Sequence, residues 1–260
     1  MGIDLEKPLR PSLSIEDWDK RFTIQAFWSR KLRETCFIDF SLSPFSKILE
    51  VGSGTGSLLS TIPQVPGLSV QVVDIDYQRL TFSKRKHDHG RHTLAQGEFL
   101  PFPSGIFDQC FCHYLLLWLI DPISVVLEMK RVTRKEGMIF IFSEPDYGGR
   151  IDFPEELTPL KELQIASLRR QGANPLIGRQ IPQILQKAGL KSIHTGMISW
   201  SGNEEYDQVA FESEWEMLRS DLADFLSTED LLHLKEVEFQ AIKDGSRVLY
   251  VPVFYGWGTV

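Results

Sequence analysis

The chain has 260 residues, of which 42% are hydrophobic and 24% charged, enough apolar material for one large domain and too much for global disorder. Lys and Arg number 28 against 35 Asp and Glu, a net charge of −7 that repels polyanions and argues against nucleic acid as a partner. Three cysteines without metal-ligand spacing (Cys36, Cys110 and Cys112) read as buried free thiols of a reducing, cytoplasmic setting, and no metal is expected.

The opening MGIDLEKPLRPS lacks the apolar run of a secretory leader. The most apolar stretch, Phe111 to Ile120, is too short to span a bilayer, so no membrane role is expected. Ser14 and Asp17 then form a capping-box pattern, and Ile24, Trp28, Leu32, Cys36 and Phe40 recur every four residues. This spacing predicts an amphipathic helix in an N-terminal arm over 1–46, closed by the breaker Ser41-Leu42-Ser43-Pro44.

From residue 47 apolar runs alternate with helical ones. KILEVG (47–52) leads into glycines and a short helix opening near Thr55. SVQVVDID (69–76) precedes a polar helix running to about Gly90 and capped by Asp76. TLAQGE (93–98) and FDQCFCHY (107–114) are the next strands, with Cys110 and Cys112 on one face. Asp121 and Pro122 mark the start of a helix to Thr133, and MIFIFSE (138–144) is a buried strand. This order predicts a doubly wound α/β core, a parallel sheet with helices on both faces. Beyond residue 150 come helices at 155–171 and from Pro182 to Gly189, then the strand KSIHTGMISW (191–200). A charged helical insertion at about 203–245 and a last strand, RVLYVPVFYGW (247–257), complete the chain. Pro252 cannot donate to a ladder, which implies a bulge or an edge position.

The chemistry concentrates in ILEVGSGTGSLL (48–59), where an apolar strand runs into Gly52-Ser53-Gly54-Thr55-Gly56. Such a loop sits at the carboxyl end of its strand, where open α/β sheets bind ligands. No lysine follows Gly56, which excludes a phosphate loop of the GxxxxGK[ST] kind. Ser57 stands where a dinucleotide fingerprint would place its third glycine.

E-V-G-S-G-T-G resembles the first motif of class I S-adenosylmethionine-dependent methyltransferases. Three companions support the likeness: the aspartate Asp74 in VVDID, LPF with FD at 100–108, and EMKRVTRKEGMIFIFSEPD. Gln96 replaces the usual aspartate beside the adenine, and Lys135-Glu136-Gly137 the usual Pro-Gly-Gly turn. The resemblance covers about 47–200 well. It implies a Rossmann-like methyltransferase domain over 47–260, with a seven-stranded, mostly parallel sheet and one reversed strand near an edge. It also implies S-adenosylmethionine as cofactor. Glu50, Gly52, Gly54 and Gly56 would meet its methionine end, Asp74 and Ile75 its ribose side, and Gln96, Gly97 and Glu98 its adenine. His113 would lie near both the methionine end and the substrate, under a lid that includes Gln25 and Trp28.

The implied reaction moves a methyl group to a small-molecule acceptor, with oxygen, nitrogen and carbon nucleophiles all open. In-line displacement from a sulfonium needs alignment and exclusion of water, and a base only if the acceptor arrives protonated. The catalytic candidates are His113, Glu144 and Asp146; lining the pocket or bonding a backbone carbonyl is the plainer reading of His113, and capping of backbone donors that of the two carboxylates. Tyr147, Trp200 and Trp215 would suit a cage for a cation, and Arg150 and Arg179 a substrate carboxylate; burial and surface pairing are the plainer readings. The rivals are a cofactor-binding module without turnover, an NAD(P)-dependent oxidoreductase, and an RNA methyltransferase disfavoured by the acidic charge. Oligomeric state is left open.

Overall fold

The computed structural model of the protein describes residues 13–40, 42–63, 65–201 and 208–260. The opening segment 1–12, Ser41 of the breaker, the first residues of the insertion and the side chain of Trp200 lie outside the described residues. Helix α1 (Ile15–Trp28) starts at the expected capping box: Ser14 Oγ accepts from Asp17 N at 3.1 Å, and the Asp17 carboxylate accepts from Ser14 N at 3.1 Å. The arm is two helices rather than one. Ser29 leaves helical geometry (φ −104, ψ 7) and turns its buried hydroxyl inward, and α2 (Arg30–Asp39) restarts at once. A four-residue apolar stripe does not register an interruption of one residue.

The core follows as β1 (Lys47–Val51), β2 (Ser69–Asp74), α3 (Tyr77–Lys86), β3 (Arg91–Leu94), β4 (Phe107–Cys112), α4 (Pro122–Val132) and β5 (Thr133–Pro145). Asp76 and Asp121 cap α3 and α4 as expected. No α-helix opens near Thr55; turns at 54–58 end in a single 3-10 turn, Leu59–Thr61. Pro63 holds Ile62 extended (ψ 130), which stops a helix there. The third strand ends at Leu94, which leaves Gln96, Gly97 and Glu98 in the following loop.

The remainder comprises β6 (Ile151–Phe153), α5 (Pro159–Arg170), α6 (Ile181–Lys187), β7 (Lys191–Ser201), α7 (Gln208–Leu222), α8 (Thr228–Lys243) and β8 (Val248–Thr259). The sheet runs β3-β2-β1-β4-β5-β8, with β7 on the far side of β8, and the first five strands are parallel. The reversed strand is β8, antiparallel to both β5 and β7. The sheet has eight strands instead of seven because three-residue β6 also pairs with β8. Pro252 is therefore not at an edge. It falls at the seam where pairing with β5 ends (Pro145↔Val253) and pairing with β6 begins (Ile151↔Tyr250), so its missing N–H costs no ladder bond.

Strand residues are apolar on both faces. Leu49, Val51, Cys110, Cys112 and Ile139 face α4 and α6, whereas Ile48, Val72, Phe111, Phe140 and Phe142 pack under α2 and α3. The three cysteines are free and buried. Helices α5, α7 and α8 form a satellite cluster around Leu160, Trp215, Leu218 and Leu222.

A buried polar network ties that cluster to the sheet. Asp152 of β6 accepts from Arg150 Nε at 2.6 Å and from Arg247 Nη2 at 2.8 Å. Glu238 of α8 accepts from Arg247 Nε at 2.6 Å and from Trp215 Nε1 at 2.7 Å. Arg150 and Trp215, for which pairing and burial are the plainer readings of the sequence, are both taken up in holding the insertion down. Replacing Asp152 by alanine leaves two buried guanidiniums short of a counter-charge and is expected to cost about 3–5 kcal/mol. Loss of the exposed Arg30–Glu34 pair should cost at most about 1 kcal/mol, and urea unfolding compares the two.

Candidate active site

The site begins where β1 and β2 end. Gly52 N and Ser53 N both donate to Val73 O, at 2.8 and 3.0 Å, which folds the loop against β2. Asp74 completes the clasp, with Oδ2 accepting from Gly54 N at 2.7 Å and Oδ1 from Asp76 N at 2.9 Å. Each oxygen keeps one lone pair for a further donor. Gly52 has φ +76, and a Cβ there would meet Leu115 at 2.7 Å, so only glycine fits.

Above this clasp lies a cavity of about 380 Å³. Of the residues expected from sequence, Glu50, Gly52, Gly54, Asp74, Ile75, Gly97, Glu98, His113 and Gln25 line it. Five others do not. Gly56 turns the other way: a Cβ would strike Ser83 Oγ at 2.2 Å, so this glycine serves close packing of the loop on α3. Gln96 is exposed one residue outside the wall formed by Ala95 and Gly97. Trp28 stands behind Tyr114, ring centroids 6.4 Å apart.

Glu144 and Asp146 are corrected in kind as well as place. Glu144 is fully buried and its carboxylate accepts from Leu115 N, Leu116 N and Leu117 N at 2.9, 2.8 and 3.2 Å, holding the turn after β4. Burial pushes its pKa up to about 7 against those three bonds. Asp146 accepts from Gly148 N at 3.0 Å and forks onto Arg179, so Arg179 is also occupied.

Phe22 and Arg79, with Tyr114, Leu115, Trp118 and Ile120, complete the wall and were not singled out from sequence. Phe22 lies three residues before Gln25 on the same helical face, a signal that was available. Arg79 lies on α3, and Tyr114, Leu115, Trp118 and Ile120 follow His113 in an irregular turn without periodicity.

The residues present fit S-adenosylmethionine. Glu50 Oε2 is buried without a partner at the base of the glycine loop, a placement suited to an ammonium. Burial lifts Glu50 to about 8, opposed by the charge of Arg33. The Asp74 lone pairs suit a diol, and exposed Ile75, Trp118 and Ile120 offer apolar cover for a flat base. Among the described residues no group of three His, Cys, Asp or Glu is placed to hold a metal ion.

His113 is governed from the arm. Arg33, buried in α2, donates to Ala26 O at 2.7 Å and to Ser29 Oγ, and Ser29 Oγ lies 2.9 Å from His113 Nε2. Ser29 has no other acceptor among the described residues, so its proton goes to Nε2 and the ring proton to Nδ1. Burial and the Arg33 charge hold the imidazole pKa well below its usual value. His113 is therefore a neutral donor through Nδ1–H, poorly suited to be the base.

An open parallel sheet in this strand order, with a reversed strand beyond β5 and a glycine clasp at the carboxyl ends, has the Rossmann-like fold of class I methyltransferases. Residues 49–141 match the family described as "Methyltransferase domain". The chain is 29% identical over 174 residues to an uncharacterized methyltransferase of Schizosaccharomyces pombe, covering 61% of this chain and 62% of that one. It is 29% identical over 126 residues to a ubiquinone/menaquinone biosynthesis C-methyltransferase of Citrifermentans bemidjiense, covering 45% and 54%. The match thus spans between half and two thirds of these curated relatives. A solved S-adenosylmethionine-dependent methyltransferase from Aquifex aeolicus superposes with a TM-score of 0.51 at 17% identity, over 71% of this chain and 91% of its own. Residues 49–141 of the chain thus match a methyltransferase domain.

Nitrogen-15 spectra of the imidazoles test the arm's hold on His113. The expected result is a single Nδ1–H tautomer that does not titrate between pH 5.5 and 8, roughly a unit either side of the ordinary histidine value. In Ser29→Ala the tautomer preference should be lost.

Proposed function

We propose that the chain transfers a methyl group from S-adenosylmethionine to a small-molecule acceptor by in-line displacement. The observation that carries this reading is the orphaned carboxylate oxygen of Glu50 beneath a glycine clasp tied to Asp74, in a cavity within the usual size range for small ligands.

When bound, the cofactor supplies a methyl group already activated on a sulfonium. Glu50 holds the amino group, Asp74 takes the ribose hydroxyls through its remaining lone pairs, and Ile75 with Gly97 and Glu98 borders the adenine. Phe22 and Gln25 bring α1 across the cavity as a lid that excludes water. His113 donates Nδ1–H to an oxygen in the cavity and orients it. An acceptor that arrives protonated must lose its proton to water or a neighbouring group, since His113, Glu144 and Asp146 are all otherwise engaged.

A small acceptor is supported by the contact of α7 with α1, the helix whose Phe22 and Gln25 line the cavity. The net charge of −7 argues against an RNA acceptor, and free buried thiols suit a cytoplasmic setting. Among the described residues no helix is long and apolar enough to cross a membrane.

Thermal shift with S-adenosylmethionine, S-adenosylhomocysteine and NADH tests the cofactor directly. Saturation at about 100 times Kd should stabilise by about 2.7 kcal/mol with the two sulfur nucleosides and leave NADH silent. A response to NADH alone would revive the oxidoreductase reading, and cofactor binding without turnover on a metabolite panel would favour the binding module.

Glu50 adds a proton signature. With a folded-state pKa of about 8 it is mostly protonated at pH 7, and an ammonium contact favours the charged form. Cofactor binding at pH 7 should therefore release up to about one proton, and affinity should rise with pH toward 8. Calorimetry in buffers of different ionisation enthalpy measures this, and Glu50→Gln should abolish it. The same shift makes the unliganded protein lose stability as pH rises from about 4.5 to 8, because ionising Glu50 costs more folded than unfolded; Glu50→Gln should flatten that slope.

A further inference from the structure

Behind the cofactor wall lies a second group of polar side chains that cofactor binding leaves unused. Arg21 on α1, Glu214 on α7, Tyr147 in the turn after β5 and Tyr114 after β4 lie together, and the guanidinium acts electrostatically on both phenols and the carboxylate. Tyr114 connects the two groups: it lines the cofactor cavity and packs against His113 at 4.9 Å between ring centroids. Trp28 closes one side, with Arg21 over its ring at 5.3 Å.

The hydrogen-bond inventory of this group is lopsided. A guanidinium has five N–H donors, and Arg21 has one acceptor among the described residues, Glu214. Neither phenol hydroxyl has a partner among the described residues, and neither those hydroxyls nor the remaining Arg21 nitrogens are sealed from solvent. Glu214 contributes one further oxygen. Even with both phenol oxygens counted as acceptors beside the Glu214 oxygen, donors exceed acceptor atoms at a place that is otherwise buried, Arg21 being only 6% exposed. Charge agrees with this count. Arg21 and Glu214 cancel, and burial holds both phenols neutral, Tyr147 pushed up to about 12 and Tyr114 well above its usual value. The wider surroundings carry charge of both signs, with Glu144 acting on Tyr114 and with Arg150 and Asp221 acting on Tyr147. The other two arginines on this side, Arg150 and Arg179, are already taken by Asp152 and Asp146.

We propose that this group is the acceptor subsite and that it selects a small molecule bearing a carboxylate, gripped by Arg21 and the hydroxyls of Tyr114 and Tyr147. The proposal rests on the methyl-transfer reading and adds to it the substrate's chemical class. Because Arg21 and Glu214 also bridge α1 to α7, the residues that recognise the acceptor are the ones that join the arm to the insertion over it.

The test uses the full chain saturated with S-adenosylhomocysteine and a panel of carboxylates from acetate through benzoate, 4-hydroxybenzoate and 3,4-dihydroxycinnamate, each beside its methyl ester. Calorimetry should find at least one acid that binds about tenfold or more tightly than its ester, the effect of a charge-assisted fork. Arg21→Met should lower that acid's affinity by about tenfold or more and Tyr147→Phe by a smaller factor, with S-adenosylhomocysteine affinity unchanged in both. Arg21→Met leaves Glu214 uncompensated, so the double variant Arg21→Met/Glu214→Gln is measured alongside to keep the result independent of folding. Esters binding as well as acids, no acid binding at all, or acid affinity retained in the double variant would each overturn the proposal. Failure of S-adenosylhomocysteine itself to bind is a separate outcome, which removes the methyl-transfer reading and this inference with it.

Discussion

Backbone N–H groups that leave the sheet at the carboxyl ends of parallel strands have no ladder partner, and the site depends on how they are satisfied. Buried carboxylates do it. Asp74 gathers Gly54 N and Asp76 N, and Glu144 gathers the three consecutive N–H groups at Leu115, Leu116 and Leu117. Asp146 does the same for Gly148 and adds an arginine. These anchors give a cavity lined by irregular backbone its fixed shape, and a carboxylate at a strand end is therefore no sign of reactivity by itself. Glu50 is the exception that points to a ligand: equally buried, it keeps an oxygen with nothing to accept from.

The arm shapes the chemistry more than a cover would. Beside the apolar Ala26, Cys36 and Phe37, its buried positions include the polar Arg21, Ser29 and Arg33. Burying Arg33 lowers its pKa to about 10, a sign of how strongly desolvation opposes the charge. Burial, reinforced by that charge, keeps His113 neutral, while the Ser29 hydroxyl chooses which nitrogen carries the proton. Two side chains from outside the sheet thus decide whether a histidine inside it donates or accepts.

On the opposite side the insertion is fastened by the Arg150–Asp152–Arg247–Glu238 network rather than by apolar packing alone. Two positive and two negative groups cancel there, and Trp215 Nε1 and Gln164 take remaining bonds. The short strand β6 and the seam at Pro252 exist in the same place, where the chain turns from the parallel core toward these helices. Arg150 is consumed in this fastening and Arg179 forks onto Asp146, whereas Arg21 keeps the most free donors of the three.

What the sequence determined by itself is whatever local chemistry dictates over a few residues. Alternating apolar runs and caps at Ser14, Asp76 and Asp121 specify the order of strands and helices. The spacing of Gly52 and Gly54 places the glycine loop at the end of β1, because a tight turn needs glycine wherever it occurs. Tertiary structure decided everything that depends on where a side chain's partner lies. The arm broke at Ser29 because its hydroxyl meets His113, 84 positions later. Glu144 and Asp146 became anchors, Gly56 turned to α3 and not to the cavity, and Arg21 met Glu214 across 193 positions. A carboxylate or a guanidinium has the same appearance in a sequence whether it binds backbone, another charge or a ligand, and only the three-dimensional neighbourhood fixes which of these satisfies it.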